Sequence, residues 1–117
     1  MKLGGFQDLF VWGKAHKLVL AVYEISKGFP KTELFGLVSQ IRRSSVSICA
    51  NIAEGYKKST KDFVRFLEIA QGSLEETKYH LILSRDLNYF SENEFNKLFN
   101  MCNETGYLLY QLIKKLR

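Results

Sequence analysis

The sequence predicts an all-α protein folded as an antiparallel up-down-up-down four-helix bundle, and three observations carry that expectation. Apolar residues recur at spacings of three and four, strict alternation never lasts long enough for a strand, and capping or breaking residues divide the chain into four long stretches. The connectors are only a few residues long, which forces sequential helices to run antiparallel. With 46% hydrophobic residues, nine Phe, six Tyr and one Trp, the 117 residues have material for one packed domain over 1–117. A single proline and the absence of low-complexity tracts exclude collagen-like, linker and disordered classes.

The first helix is expected over about 8–27, with Leu9, Trp12, Val19 and Tyr23 on its apolar face and Gly28 as its stop. Phe29-Pro30-Lys31-Thr32 connects it to a second helix over 33–56, for which Thr32 is the expected cap. Its apolar stripe is Leu34, Leu37, Ile41, Ser45, Ile48 and Ile52, and Gly55 weakens its last turn. Ser59 with Asp62 opens a third helix, 60–89, with Phe63, Phe66, Ala70, Leu74, Thr77 and Leu81 inward. Gly72 within it suggests a close helix crossing. Ser91-Glu92-Asn93-Glu94 is a capping box that opens a fourth helix, 92–116, placing Phe95, Leu98, Phe99, Cys102, Leu109, Ile113 and Leu116 on one side.

The longest apolar run, Leu18 to Tyr23, is far short of the roughly 20 residues a membrane-spanning helix needs. The first eight residues lack the pattern of a secretory signal, so a cytoplasmic protein without membrane association is expected. Cys49 and Cys102 fall in amphipathic segments without metal-ligand spacing and read as free buried thiols.

Helix 2 carries a second stripe, Gln40, Arg43, Ser47, Asn51 and Glu54, polar yet free of lysine. Such a row suits a partly buried hydrogen-bonded seam, with Arg43 paired to Glu76 of helix 3 or to Glu54 of a neighbouring subunit. A plain solvent-facing row is the competing reading. Helices 1 and 2 also look apolar over more than one stripe, through Val11, Leu18 and Ile25 in one and Phe35, Val46, Cys49 and Ala53 in the other, which points to self-association.

Charge is uneven. Residues 1–58 hold nine Lys/Arg and four Asp/Glu, whereas residues 59–117 hold eight of each. In an up-down bundle one end collects Lys2, Lys57, Lys58, Lys61, Arg65, Lys114, Lys115 and Arg117 against Asp8, Glu54 and Asp62, while the other end is balanced. A basic end can bind nucleic-acid phosphates without reading bases, and Lys57, Lys58, Lys61, Arg65, Lys114, Lys115 and Arg117 are the candidate contacts. Four of these lysines lie near helix C-termini, where opposing the helix dipole accounts for them equally well.

Catalysis finds no footing. His16 and His80 fall on apolar helix sides without sequence-level partners, and Glu76-Thr77-Lys78-Tyr79-His80 is one residue too long for the Glu-x-x-His of di-iron bundles. No catalytic residues, metal or cofactor are expected.

Several elements together carry a family resemblance: Phe6-Gln7-Asp8-Leu9 with Val11-Trp12; Phe29-Pro30-x-x-Glu33-x-Phe35-Gly36-Leu37; Gln40 to Ile48; Asn51-Ile52-Ala53-Glu54-Gly55; and Phe66-Leu67-x-Ile69-Ala70-x-Gly72-Ser73-Leu74-x-Glu76. The chain resembles the bacterial four-helix-bundle proteins encoded in intervening sequences of 23S ribosomal RNA genes, formerly described as ribosomal proteins. The resemblance implies a homopentamer with no established enzymatic activity and a poorly defined role. The family is in turn similar to the accessory protein of diversity-generating retroelements, a basic pentamer that binds nucleic acid. Ser44 and Ser45 depart from the family pattern, which more often has small apolar residues there. The expected function is therefore a non-enzymatic homo-oligomer that binds RNA or DNA, with a scaffold for a protein partner as the alternative.

Overall fold

The structure, a computed structural model, describes residues 4–117. Four helices make up the described chain: α1 (Phe10–Ser26), α2 (Leu37–Gly55), α3 (Thr60–Asp86) and α4 (Glu92–Leu116), with short 3-10 turns at Phe6–Asp8 and Lys31–Glu33. No strand occurs among the described residues. Each helix packs on the next in sequence, and α4 closes the ring onto α1. The result measures 47 × 23 × 21 Å, the long dimension following from helices that rise about 1.5 Å per residue.

The core is the set of inward stripes. Leu18 and Val22 of α1, Ile41, Ile48 and Ile52 of α2, Leu67, Leu74 and Leu81 of α3, and Cys102 and Leu109 of α4 are all sealed from solvent. Each such aliphatic side chain contributes about 1.5–3 kcal/mol on burial, so these rows set helix register. A smaller cluster of Phe29, Leu37 and Val38 caps the end near the α1–α2 connector, with Tyr89 and Phe90 packed on it. Cys49 and Cys102 are free and buried, and burial pushes both thiols up to about 12.

Local chemistry explains where the helices begin. Ser59 Oγ accepts from the Asp62 amide at 3.2 Å, and Ser91 and Glu94 exchange both bonds of a capping box at 3.1 and 3.0 Å. Helix α2 starts four residues later than the sequence suggests, and Thr32 does not cap it: Thr32 lies inside the 3-10 turn. Glu33 takes over instead, reaching forward to accept from the Leu37 amide at 3.1 Å and from the Tyr89 hydroxyl at 2.7 Å. The Tyr89 hydroxyl and then the Leu37 amide hold the Glu33 carboxyl below its ordinary range, and the hydrogen bond to that carboxylate raises the Tyr89 phenol above its own. Leu34 consequently precedes the helix and is half exposed rather than part of the buried stripe.

Helix α3 stops at Asp86, short of the expected Tyr89. Asn88 has a left-handed φ of 63°, and the amides of Asn88 and Tyr89 return to the carbonyls of Arg85 at 2.9 Å and Ser84 at 3.0 Å. This pair of bonds is a Schellman motif with asparagine where glycine is commoner. Helix α1 also starts and ends slightly inside its expected bounds, at Phe10 and Ser26.

Two glycines have opposite roles to those the sequence suggests. A Cβ on Gly55 would sit 2.6 Å from Phe66 Cβ, so Gly55 is where α2 and α3 come together rather than a frayed turn. A Cβ on Gly72 would meet nothing within 4 Å, so no helix of this chain crosses there.

Candidate nucleic-acid interface

The end of the bundle formed by the α2–α3 loop and the α4 C-terminus brings all seven candidate cations together. Lys57 and Lys58 lie on the loop, Lys61 and Arg65 on the first two turns of α3, and Lys114, Lys115 and Arg117 at the end of α4. All seven are exposed. Tyr56 folds back edge-on to Phe63, with ring centroids 6.1 Å apart, and the Lys58 amide donates to the Gly55 carbonyl at 3.0 Å, which holds the short loop against the bundle. Lys2, counted with this end from the sequence, lies outside the described residues.

Pairing divides the seven. Arg65 is bonded to Asp62 at 3.2 Å, and Arg117 is paired with Glu68, an acid not counted with this end from the sequence. Lys57, Lys58, Lys61, Lys114 and Lys115 have no ion-pair partner among the described residues. Sequence reasoning also missed Phe66, whose ring receives Lys58 Nζ at 5.6 Å and the Arg65 guanidinium at 5.7 Å. Its place in the inward row of α3 hid that second role.

Helix dipoles account for only part of this cluster. Lys57 and Lys58 follow the C-terminus of α2, and Lys114 and Lys115 sit at that of α4, where positive charge is favoured by about 0.3–1 kcal/mol. Lys61 occupies the first turn of α3, where the dipole disfavours a cation, so helix stability does not explain its position. At the opposite end, Lys27 and Arg85 have acidic partners at 3.2 and 3.1 Å, while Lys31 and Lys97 have none among the described residues and are offset only by the nearby Glu33, Glu92 and Glu94.

The polar row on α2 is not one continuous buried seam. Ser47 and Asn51 are half-buried: Ser47 Oγ meets Ser73 Oγ at 2.9 Å, and Asn51 Nδ2 donates to the Ser47 carbonyl at 2.8 Å. Gln40, Arg43 and Glu54 are exposed. Arg43 is bonded to Glu76 and to Gln40 Oε1, the first of the two pairings weighed from sequence, but its side chain is 53% exposed. An exposed pair of this kind contributes about 0–1 kcal/mol, and not the few kcal/mol of a buried one. The buried polar contact lies one position inward, where Ser44 Oγ meets Thr77 Oγ1 at 2.8 Å with both residues fully buried.

His80 Nε2 donates to the Glu76 carboxylate at 3.1 Å, and its buried Nδ1 has no hydrogen-bond partner among the described residues. His16 is exposed, against expectation, and stacks on Trp12 with centroids 4.9 Å apart. Among the described residues no three His, Cys, Asp or Glu side chains are placed to hold a metal ion. No described helix is long and apolar enough to cross a membrane.

The expected self-association surface needs redrawing. Val11, Leu18 and Cys49 are buried within the protomer, whereas Phe35 is 92% exposed and Phe10, Leu20, Val46, Ile69 and Tyr79 are also substantially exposed.

The chain is similar to known proteins both in sequence and in structure. The model of the 23S rRNA-intervening sequence protein family matches residues 7–111. A crystal structure of a protein with unknown function from the S23 ribosomal protein family of Bacteroides thetaiotaomicron VPI-5482 superposes with a TM-score of 0.82 at 30% identity, covering 89% of this chain and 95% of that one. No curated protein sequence matches significantly.

Proposed function

Because the chain belongs to the 23S rRNA-intervening sequence protein family, we propose that it is a cytoplasmic, non-enzymatic, self-associating bundle that binds RNA or DNA phosphates through its basic end. The single observation that supports this most strongly is the set of five exposed, unpaired lysines at one end, Lys61 among them against the dipole of its own helix. Phosphate contacts of this type release counterions and carry no base specificity.

Association into a homopentamer with its axis along the helices is part of the same proposal, since it converts each basic end into a segment of a ring. The exposed Phe35, Val46, Ile69 and Tyr79 side chains supply the apolar surface that association needs. Light scattering should return about five times the 13.6 kDa protomer mass. The exposed Phe35 also favours a second reading, a scaffold for a protein partner, in which the lysines only solubilise.

Fluorescence anisotropy of labelled RNA and duplex DNA, titrated from low to physiological salt, separates the two. Binding should weaken log-linearly with salt and be abolished in Lys57→Glu/Lys58→Glu/Lys61→Glu. Salt-insensitive binding, or none, would favour the scaffold.

A further inference from the structure

We infer that the α3–α4 face next to the basic end is a stacking groove for an unpaired nucleic-acid strand, with Tyr107 and Tyr110 as the base platforms. The inference rests on the phosphate-binding reading above and adds to it which form of nucleic acid is preferred.

Asn103, Tyr107, Tyr110, Lys114 and Arg117 are spaced by four, three, four and three residues, so they form one row along α4. Tyr107 and Tyr110 are 63% and 54% exposed. The row borders two depressions between α3 and α4 that share Gln71: one contains Asn103 and Tyr107, and the other contains Tyr110, Lys114 and Arg117. At 1.5 Å per residue the row is about 21 Å long and runs into the basic end.

The order of side chains along it has a chemical reading. Aromatic faces without a protein partner can stack on bases, the amides of Asn103 and Gln71 can bond to base edges or sugar hydroxyls, and Lys114 offers an unpaired ammonium to a phosphate. A duplex cannot use the tyrosines, because its base faces are already stacked on one another. Arg117 is the weaker phosphate ligand, since its partner Glu68 must be displaced, and Glu75 also lines the groove, balanced by Lys78 at 3.2 Å. A row that runs from two tyrosines into a lysine and an arginine fits a polyanion with flat faces better than the core of a protein interface, where lysine is depleted.

The test compares labelled oligouridine and oligothymidine of about 12 nucleotides with RNA and DNA duplexes, using wild type and Tyr107→Leu/Tyr110→Leu. Leucine keeps apolar bulk and helix propensity at two exposed positions while removing the rings, and circular dichroism checks the fold. The wild type should bind the unpaired strands at least about tenfold more tightly than the duplexes, and the variant should lose about tenfold or more on the strands alone. Equal affinity for strands and duplexes, or unchanged strand binding in the variant, overturns this inference and leaves the phosphate-binding end intact. A drop in oligomer mass in the variant also overturns it, because the tyrosines are then contacts between copies. Failure of the wild type to bind either form overturns the basic-end reading, and this inference with it.

Discussion

At the scale of single residues, glycines make the sharpest test of the packing. Gly55→Ala forces a methyl group into Phe66, so the variant should lose about 1–3 kcal/mol in urea unfolding. Gly72→Ala meets no neighbour in the protomer and removes a weak helix former from α3, so it should gain about 1 kcal/mol. The sequence suggested the reverse, because a glycine late in a helix and a glycine in mid-helix look like a frayed end and a crossing. Which glycine faces a neighbour depends on the rotation of α2 against α3, a tertiary fact that local spacing does not encode. Asn88 was illegible for a similar reason: its left-handed turn requires no glycine, so helix α3 carries no obvious stop signal. His16 and Arg43 show the limit of helical periodicity, which gives direction around the helix but not depth of burial.

Helices as units were far more legible. The caps at Ser59 and Ser91 and the inward rows of α3 and α4 follow directly from side-chain spacing, because those rows are long enough to average out single exceptions. Helix α2 is the exception, since its start depends on Tyr89, 52 residues downstream of Leu37 in the chain, donating to Glu33. That arrangement has a pH signature. Glu33 titrates below its ordinary 4.5 in the fold, so its contribution to stability is present above pH 4.5 and is lost as the pH falls through the lowered value. Tyr89 titrates above its ordinary 10, so its contribution is present below pH 10 and fades as the pH rises through the raised value. Unfolding measured against pH should therefore show an acid limb that flattens in Glu33→Gln. In Tyr89→Phe that limb should shift toward the ordinary carboxylate range, and the alkaline contribution should vanish.

For the whole molecule, the four-helix arrangement was readable from connector length and period, while the candidate site was readable only as charge. The sequence placed the seven candidate phosphate contacts at one end, yet it did not reveal that Glu68 engages Arg117 or that Phe66 underlies Lys58 and Arg65, since both contacts depend on how α3 meets its neighbours. An elongated body with net positive charge at one tip and balanced charge at the other turns in the field of a polyanion before touching it. The tip then leads, and fewer collisions are wasted on unproductive orientations. In stopped-flow mixing with RNA, added salt should slow association steeply, and Lys57→Glu/Lys58→Glu/Lys61→Glu should associate slowly at every salt concentration. The unpaired lysines would then govern how often an encounter succeeds, before any contact has formed to hold the complex together.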